Sequence, residues 1–188
     1  SLSPAFAQDF AQAFDIIHTD QVITNEAKGA SAIRGSRSSS LRLAIEAVAS
    51  KKAEAVVSAG NTGVYMALSK VLFGTLPGID RPAIAGILPT FQGRCAMLDL
   101  GANTECTAEN LLQFALLGDS FARLLLNIPH PTIGLLNVGS EESKGNALLQ
   151  ETAQHLRNPS LGLNFYGFVE GDDITAGTTD LIVTDGFS

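Results

Sequence analysis

The 188-residue sequence predicts an α/β fold of three layers, with helices on both faces of a mainly parallel sheet. Three observations carry that reading. Apolar runs of strand length alternate with segments of helical period. Most of those runs are apolar at every position rather than every second one, the pattern of strands covered on both faces. Polar, glycine-rich stretches also follow the strands repeatedly, at the carboxyl ends where open α/β sheets collect ligands.

The elements are read in chain order. "FDIIHT" (14–19) is expected to be a strand and "QVITNE" a loop or short strand. "SRSSSLRLAIEAVAS" (36–50) places Leu41, Ile45 and Val48 on one helical face, with Ser38 to Ser40 offering N-cap hydroxyls. "AEAVVSA" is expected as a strand and "VYMALSKVLF" as a helix. "AIAGILP" (83–89) and "CAMLDL" (95–100) have the length of buried strands, and the short turn between them allows an antiparallel pair. "TAENLLQFALLGDSFARLLLN" (107–127) reads as a long helix capped by Thr107, with Glu105 and Glu109 near its positive end. "TIGLLNV", "LNFYGFV" and "TDLIVTD" read as strands, and "GNALLQETAQHLR" as a helix. The whole is expected to be one α/β domain over residues 1–188.

Five loops are expected along one sheet edge: "SAGNTG", "LPTFQG", "DLGANTE", "NVGSEESKGN" and "TDGFS". A turn such as "SAGNTG" serves packing in any α/β protein, or its helix-start amides hold an anion through Ser58, Gly60, Asn61, Thr62 and Gly63. It is neither G-x-G-x-x-G nor a P-loop, because the third glycine and the lysine are missing. In "DLGANTE", Asp99 and Asn103 either cap a turn or present polar groups to a ligand. Lys144, among small polar residues before a helix starting near Asn146, either faces solvent or offsets charge on a phosphate or oxyanion.

Apolar residues make up 45% and charged residues 16%, which excludes a disordered chain. No apolar run reaches the length of about 18 residues that a membrane span needs. The start "SLSPAFAQDFAQAF" lacks the pattern of a signal peptide, so a cytoplasmic location is expected. A net charge of −7 counts against nonspecific nucleic-acid binding. Residues 28–52 nevertheless carry +5, through Lys28, Arg34, Arg37, Arg42, Lys51 and Lys52 against Glu46, and the remainder carries −12. That strip is either a solvated helix face or a surface for an anionic ligand or an acidic partner. Cys95 and Cys106 make neither a disulfide framework nor a zinc site. Cys106, near a helix start, reads as a passive cysteine although such a position favours a thiolate. His18, His130 and His155 are scattered, and neither metal spacing nor a nucleophilic triad is evident. Anion-binding loops without an enzyme nucleophile suit a reaction in which a substrate brings its own.

The ordered motifs "VVSAGNTG", "IDRPAIAGILPT", "MLDLGAN", "GLLNVGSEESKGN" and "LIVTDGF", with "IIHTDQVI" and "AIRGSRSSSLRLAIEAV" upstream, closely resemble the PlsX family, the bacterial phosphate acyltransferases of phospholipid synthesis. The likeness runs from about residue 15 to the end of the chain. It implies a fold similar to phosphate acetyltransferase and to the isocitrate and isopropylmalate dehydrogenases. It also implies an enzyme that makes acyl phosphate from inorganic phosphate and fatty acyl-[acyl carrier protein], without cofactor or metal. The product feeds a membrane glycerol-3-phosphate acyltransferase on the way to phosphatidic acid.

On that resemblance Lys144 is expected to meet phosphate and oxyanion charge, and Asn103 to share the catalytic work. The turn from Ser58 to Gly63, with Asn146 and Asp185, is expected to bind substrate, and Arg34, Arg37 and Arg42 to dock the acidic carrier protein. A homodimer, cytoplasmic or peripheral at the inner membrane face, is implied as well. The family's opening strand and "DAMGGD"-like glycine loop have no counterpart here. Its members also continue past "TDGFSGN", so the chain is expected to be a fragment without the C-terminal third. A phosphate acetyltransferase-like enzyme using acyl-CoA and a noncatalytic carrier-binding module are the alternatives. A dehydrogenase would need clustered aspartates for its metal, and none are seen.

Overall fold

The computed structural model describes residues 14–27, 33–141 and 144–188. Lys28 of the basic strip, the opening segment 1–13 and residues 142–143 of the lysine loop lie outside them. The chain divides into two compact units, Ser1–Gly74 and Thr75–Ser188.

In the first unit the described residues include the helices α1 (Ser40–Ala49) and α2 (Thr62–Phe73). α1 starts where Ser39 Oγ accepts from Arg42 N, and α2 where Asn61 Oδ1 accepts from Val64 N. Helical spacing brings Leu41 and Ile45 of α1 against Val64 and Leu68 of α2, with Ile23, Ile33, Val56 and Tyr65 around them. Before α1, Gln21 bridges the chain: its Oε1 accepts from Ser38 N at 2.9 Å and its Nε2 donates to Gly35 O.

Two expected strands are absent. Residues 14–19 and 53–59 carry strand-like sequence but have no ladder partner among the described residues. Strand geometry is stabilised by bonds to a neighbour, so an apolar run without one stays irregular. Val56 packs on the helices while Val57 is 97% exposed.

The second unit is built on five strands: β1 (Ala85–Thr90), β2 (Gly93–Leu98), β3 (Thr132–Leu136), β4 (Asn164–Val169) and β5 (Leu181–Val183). Their order is β1-β2-β5-β3-β4. β2, β5, β3 and β4 run parallel, and β1 pairs antiparallel with β2. The helices α3 (Ala108–Leu125) and α4 (Ala147–Leu156) lie with one sheet face, and the short α5 (Gly171–Ala176) with the other. Period two explains why these strands look apolar throughout. Ala96, Leu98, Leu181 and Val183 join Leu111 and Phe114 of α3 on one face. Cys95, Met97 and Ile182 join Ile174 of α5 on the other. α3 begins at the expected Thr107, whose Oγ1 accepts from Asn110 N while Asn110 Oδ1 accepts from Thr107 N.

The β1–β2 hairpin corrects one expectation about the loops. Because β1 is antiparallel, "LPTFQG" turns at the amino end of β2, on the edge opposite the carboxyl ends of the parallel strands. Local sequence sets the turn, but strand direction follows from the neighbour it pairs with.

Burial has a titration consequence. Cys95 is fully buried, and desolvation, followed by the nearby Asp180 carboxylate, pushes its thiol from 9.0 up to about 11. The fold disfavours the thiolate, so this contribution is unchanged below 9.0 and is lost as pH rises towards 11. Relative to Cys95→Ala, the parent chain is expected to lose roughly 2–3 kcal/mol more stability between neutral and strongly alkaline pH. Urea unfolding across that range measures the difference, and parallel pH curves for the two proteins would exclude it.

Candidate active site

At the carboxyl end of β2, Asp99 organises the "DLGAN" loop. Its carboxylate, 1% exposed, accepts from Ile84 N at 2.7 Å through Oδ1. Oδ2 accepts from Ala102 N at 3.1 Å, Asn103 N at 2.6 Å and Asn103 Nδ2 at 3.1 Å. Asn103 Nδ2 also donates to Pro82 O, ahead of β1, at 3.0 Å, so both of its amide hydrogens are engaged by the protein. The neighbouring "TDGF" turn is locked to it, since Gly186 N donates to Asn103 O at 2.8 Å. A Cβ at Gly186 would come within 2.9 Å of Asn103 N, so only glycine allows this approach. Asp185 Oδ1 accepts from Phe187 N and Ser188 N at 3.1 and 2.8 Å, shaping the turn from within.

Cys106 donates to Asn103 O at 3.4 Å. Burial, then the Asp185 and Asp99 carboxylates, raise its thiol, with Arg81 opposing them. These outweigh the favourable helix start, and Cys106 is no activated nucleophile.

At the carboxyl end of β3, Asn137 N donates to Val169 O at 2.9 Å, and the side chain turns back to accept from Val138 N at 2.8 Å through Oδ1. Its Nδ2 is buried and has no partner among the described residues. An orphaned buried donor of this kind costs about 1–3 kcal/mol. Gly145, at φ +89°, makes room for this amide: a Cβ there would stand 2.6 Å from Asn137 Oδ1 and 3.0 Å from Nδ2. Next in the chain, Asn146 caps α4 by accepting from Leu149 N at 3.0 Å. A pocket of about 680 Å³ opens at this helix start, with Leu136, Val138, Leu149 and Phe187 as apolar walls and Asn137 and Asn146 as polar groups.

Lys144 stands beside the pocket at an exposed position. Its N–H donates to Glu141 O at 3.0 Å, its carbonyl accepts from Gln150 Nε2, and its aliphatic stem lies over Gly139. The structure therefore gathers the loops bearing Asn103, Asp185, Lys144 and Asn146 at the carboxyl ends of β2, β5 and β3. Asn137 was not singled out by sequence reasoning. Its position directly after an apolar strand and before Val-Gly was the available signal.

The "SAGNTG" turn is described within the first unit. Ser58 Oγ accepts from Gly60 N at 3.1 Å. Asn61 both caps α2 and donates from Nδ2 to Asn25 O and Ala27 O at 2.9 and 3.1 Å. Thr62 and Gly63 form the first turn of α2, and Asn61 and Gly63 line a pocket of about 410 Å³. In the basic strip Arg34 and Arg37 are exposed, whereas Arg42 Nε donates to Glu46 Oε1 at 2.6 Å. No helix among the described residues is long and apolar enough to cross a membrane. Among them, too, no group of three or more histidine, cysteine or acidic side chains could hold a metal ion.

A family model described as "Fatty acid synthesis protein" matches residues 2–188. The chain belongs to this family. Within the fatty acid synthesis family, the phosphate acyltransferase of Rhodospirillum centenum is 57% identical over 171 residues, covering 91% of this chain and 48% of its own. The phosphate acyltransferase of Gluconobacter oxydans is 51% identical over 189 residues, covering 100% of this chain and 51% of its own. The chain spans about half the length of the curated relatives it matches. Its fold is like that of EutD phosphotransacetylase from Staphylococcus aureus, with a TM-score of 0.56, 15% identity, and coverage of 96% of this chain and 67% of that one.

Proposed function

We propose that the chain forms part of a phosphate acyltransferase that transfers a fatty acyl group from acyl carrier protein to inorganic phosphate. The observation that carries this reading is the identity of 57% to a relative named phosphate acyltransferase. The geometry supports it. A hydrogen phosphate oxygen attacks the thioester carbonyl carbon and the carbonyl oxygen becomes an oxyanion; its collapse re-forms the carbonyl and breaks the carbon–sulfur bond, and the departing thiolate takes up the proton that the phosphate loses. Such a step needs placement of two reactants and donors for developing charge, and no enzyme nucleophile. The amino end of α4 and Lys144 offer positive potential beside an apolar pocket. Asn103 serves as a strut of the loop after β2 rather than as a donor to substrate. Asn146 and Asp185 shape the binding loops. The Ser58–Gly63 turn supplies helix-start amides for a further anionic group.

The enzyme acts as a cytoplasmic homodimer, working at the inner membrane face and passing acyl phosphate to a membrane glycerol-3-phosphate acyltransferase. Thiol release from palmitoyl carrier protein by the full chain, with and without phosphate, tests the reaction. Strict phosphate dependence is expected, and release from palmitoyl-CoA alone would instead favour the acetyltransferase-like chemistry.

Arg34 and Arg37 dock the acidic carrier, and Arg42 adds less because its guanidinium is paired with Glu46. Replacing Arg34 and Arg37 together by glutamate is expected to raise KM for the carrier substrate several-fold at low salt and little at high salt. An unchanged KM at low salt would remove this surface from the reading.

A further inference from the structure

We infer that Asn137 is the donor to the acyl carbonyl oxygen, and that the pocket beside it receives the thioester end of the acyl chain; this rests on the acyltransferase reading. Val138 N–H, donating at 2.8 Å, identifies the facing side-chain atom as Oδ1, so the atom without a partner among the described residues is the NH₂ group. Asn137 is 8% exposed, and it lines the pocket at the amino end of the ten-residue α4. A buried donor without a partner among the described residues calls for an acceptor. The walls decide which acceptor. Leu136, Val138, Leu149 and Phe187 line the pocket with hydrocarbon, Asn146 and Ser188 being its other side chains, and that balance suits a carbonyl carrying an alkyl chain better than a free, fully hydrated phosphate. Gly145 belongs to the same arrangement, because any side chain there would collide with the amide. As phosphate adds to the carbonyl, the oxygen gains charge and the bond from Nδ2 strengthens, so the contact favours the transition state over the bound substrate.

The test compares two inert probes on the full chain. One is a palmitoyl ketone in which CH₂ replaces the sulfur of the pantetheine thioester; the other is the matching thioether without a carbonyl. The parent is expected to bind the ketone roughly two- to tenfold more tightly, the worth of one hydrogen bond. Asn137→Ala should bind both probes equally. Asn137→Asp keeps the acceptor for Val138 N–H and should reverse the preference, so it answers the question if the alanine variant folds poorly. In turnover, either variant is expected to lower kcat about 100-fold while leaving KM for phosphate near its parent value. An equal affinity of the parent for both probes, or a preference that survives both substitutions, overturns the inference. So does loss of phosphate binding with the ketone preference intact, which would make this a phosphate pocket. Probe binding needs no turnover. Failure of phosphate-dependent thiol release would therefore strike the acyltransferase reading, while the ketone preference reports on Asn137 separately.

Discussion

Asp99→Ala is expected to destabilise the protein by about 3–5 kcal/mol. The carboxylate is 1% exposed and accepts four hydrogen bonds, from Ile84 N, Ala102 N, Asn103 N and Asn103 Nδ2. Alanine leaves those donors without their acceptor, and a buried unsatisfied donor costs more than a satisfied bond contributes. Asp99→Asn restores one acceptor oxygen but turns an NH₂ group towards the remaining donors, so it should fall between parent and alanine. The consequence reaches the site. Asn103 O holds Gly186 N, and the turn around Asp185 depends on that bond. Loss of Asp99 should therefore lower activity even at temperatures where the variant remains folded. Urea unfolding measures the stability change, and a loss below about 1 kcal/mol would show that the loop has another support.

The parts of this architecture readable in advance are those whose physics is local. The cap of α3 depends on Thr107 and a residue three positions along, so the sequence alone points to Thr107. β2 and β5 announced themselves because both strand faces are buried, leaving Cys95 to Leu98 and Leu181 to Val183 apolar without alternation. What escaped was set by distant neighbours. "AEAVVSA" has strand-like residues but no paired strand among the described residues, and "LPTFQG" fell on the opposite edge because β1 runs against β2. α5 was missed because six residues, three of them glycine or aspartate, give too little helical period to read.

The site divides in the same way. Lys144 and Asn146 could be singled out from their glycine-rich loop before a helix. Asn103 is expected from sequence to share the catalytic work; what sequence does not contain is that its amide hydrogens meet Pro82 and Asp99, a network spanning three separated positions. The orphaned nitrogen of Asn137 follows from Val138 N–H and the bare Gly145. No spacing rule contains that geometry.

Lys144→Ala is expected to reduce kcat/KM for phosphate-dependent thiol release by about 100- to 1,000-fold. The reaction brings a phosphate dianion to a carbonyl that itself becomes negative, so two like charges approach within one bond length. The partial positive charge at the start of α4, roughly half an elementary charge, offsets only part of this. Lys144 is the cation that directly precedes Gly145 and the Asn146 cap, on a peptide held at both ends by Glu141 and Gln150. That anchoring limits where its flexible side chain can place the ammonium, which is what makes a loop lysine useful for catalysis. Because the residue is exposed, the substitution should change stability by no more than about 0.5 kcal/mol, separating a chemical loss from a folding one. Lys144→Arg keeps the charge on a broader group and should recover part of the rate. Initial rates at varied phosphate distinguish the outcomes. A collapse with stability intact places Lys144 at the developing charge. A change below about threefold would move that role to the helix terminus and leave the lysine a solvated side chain.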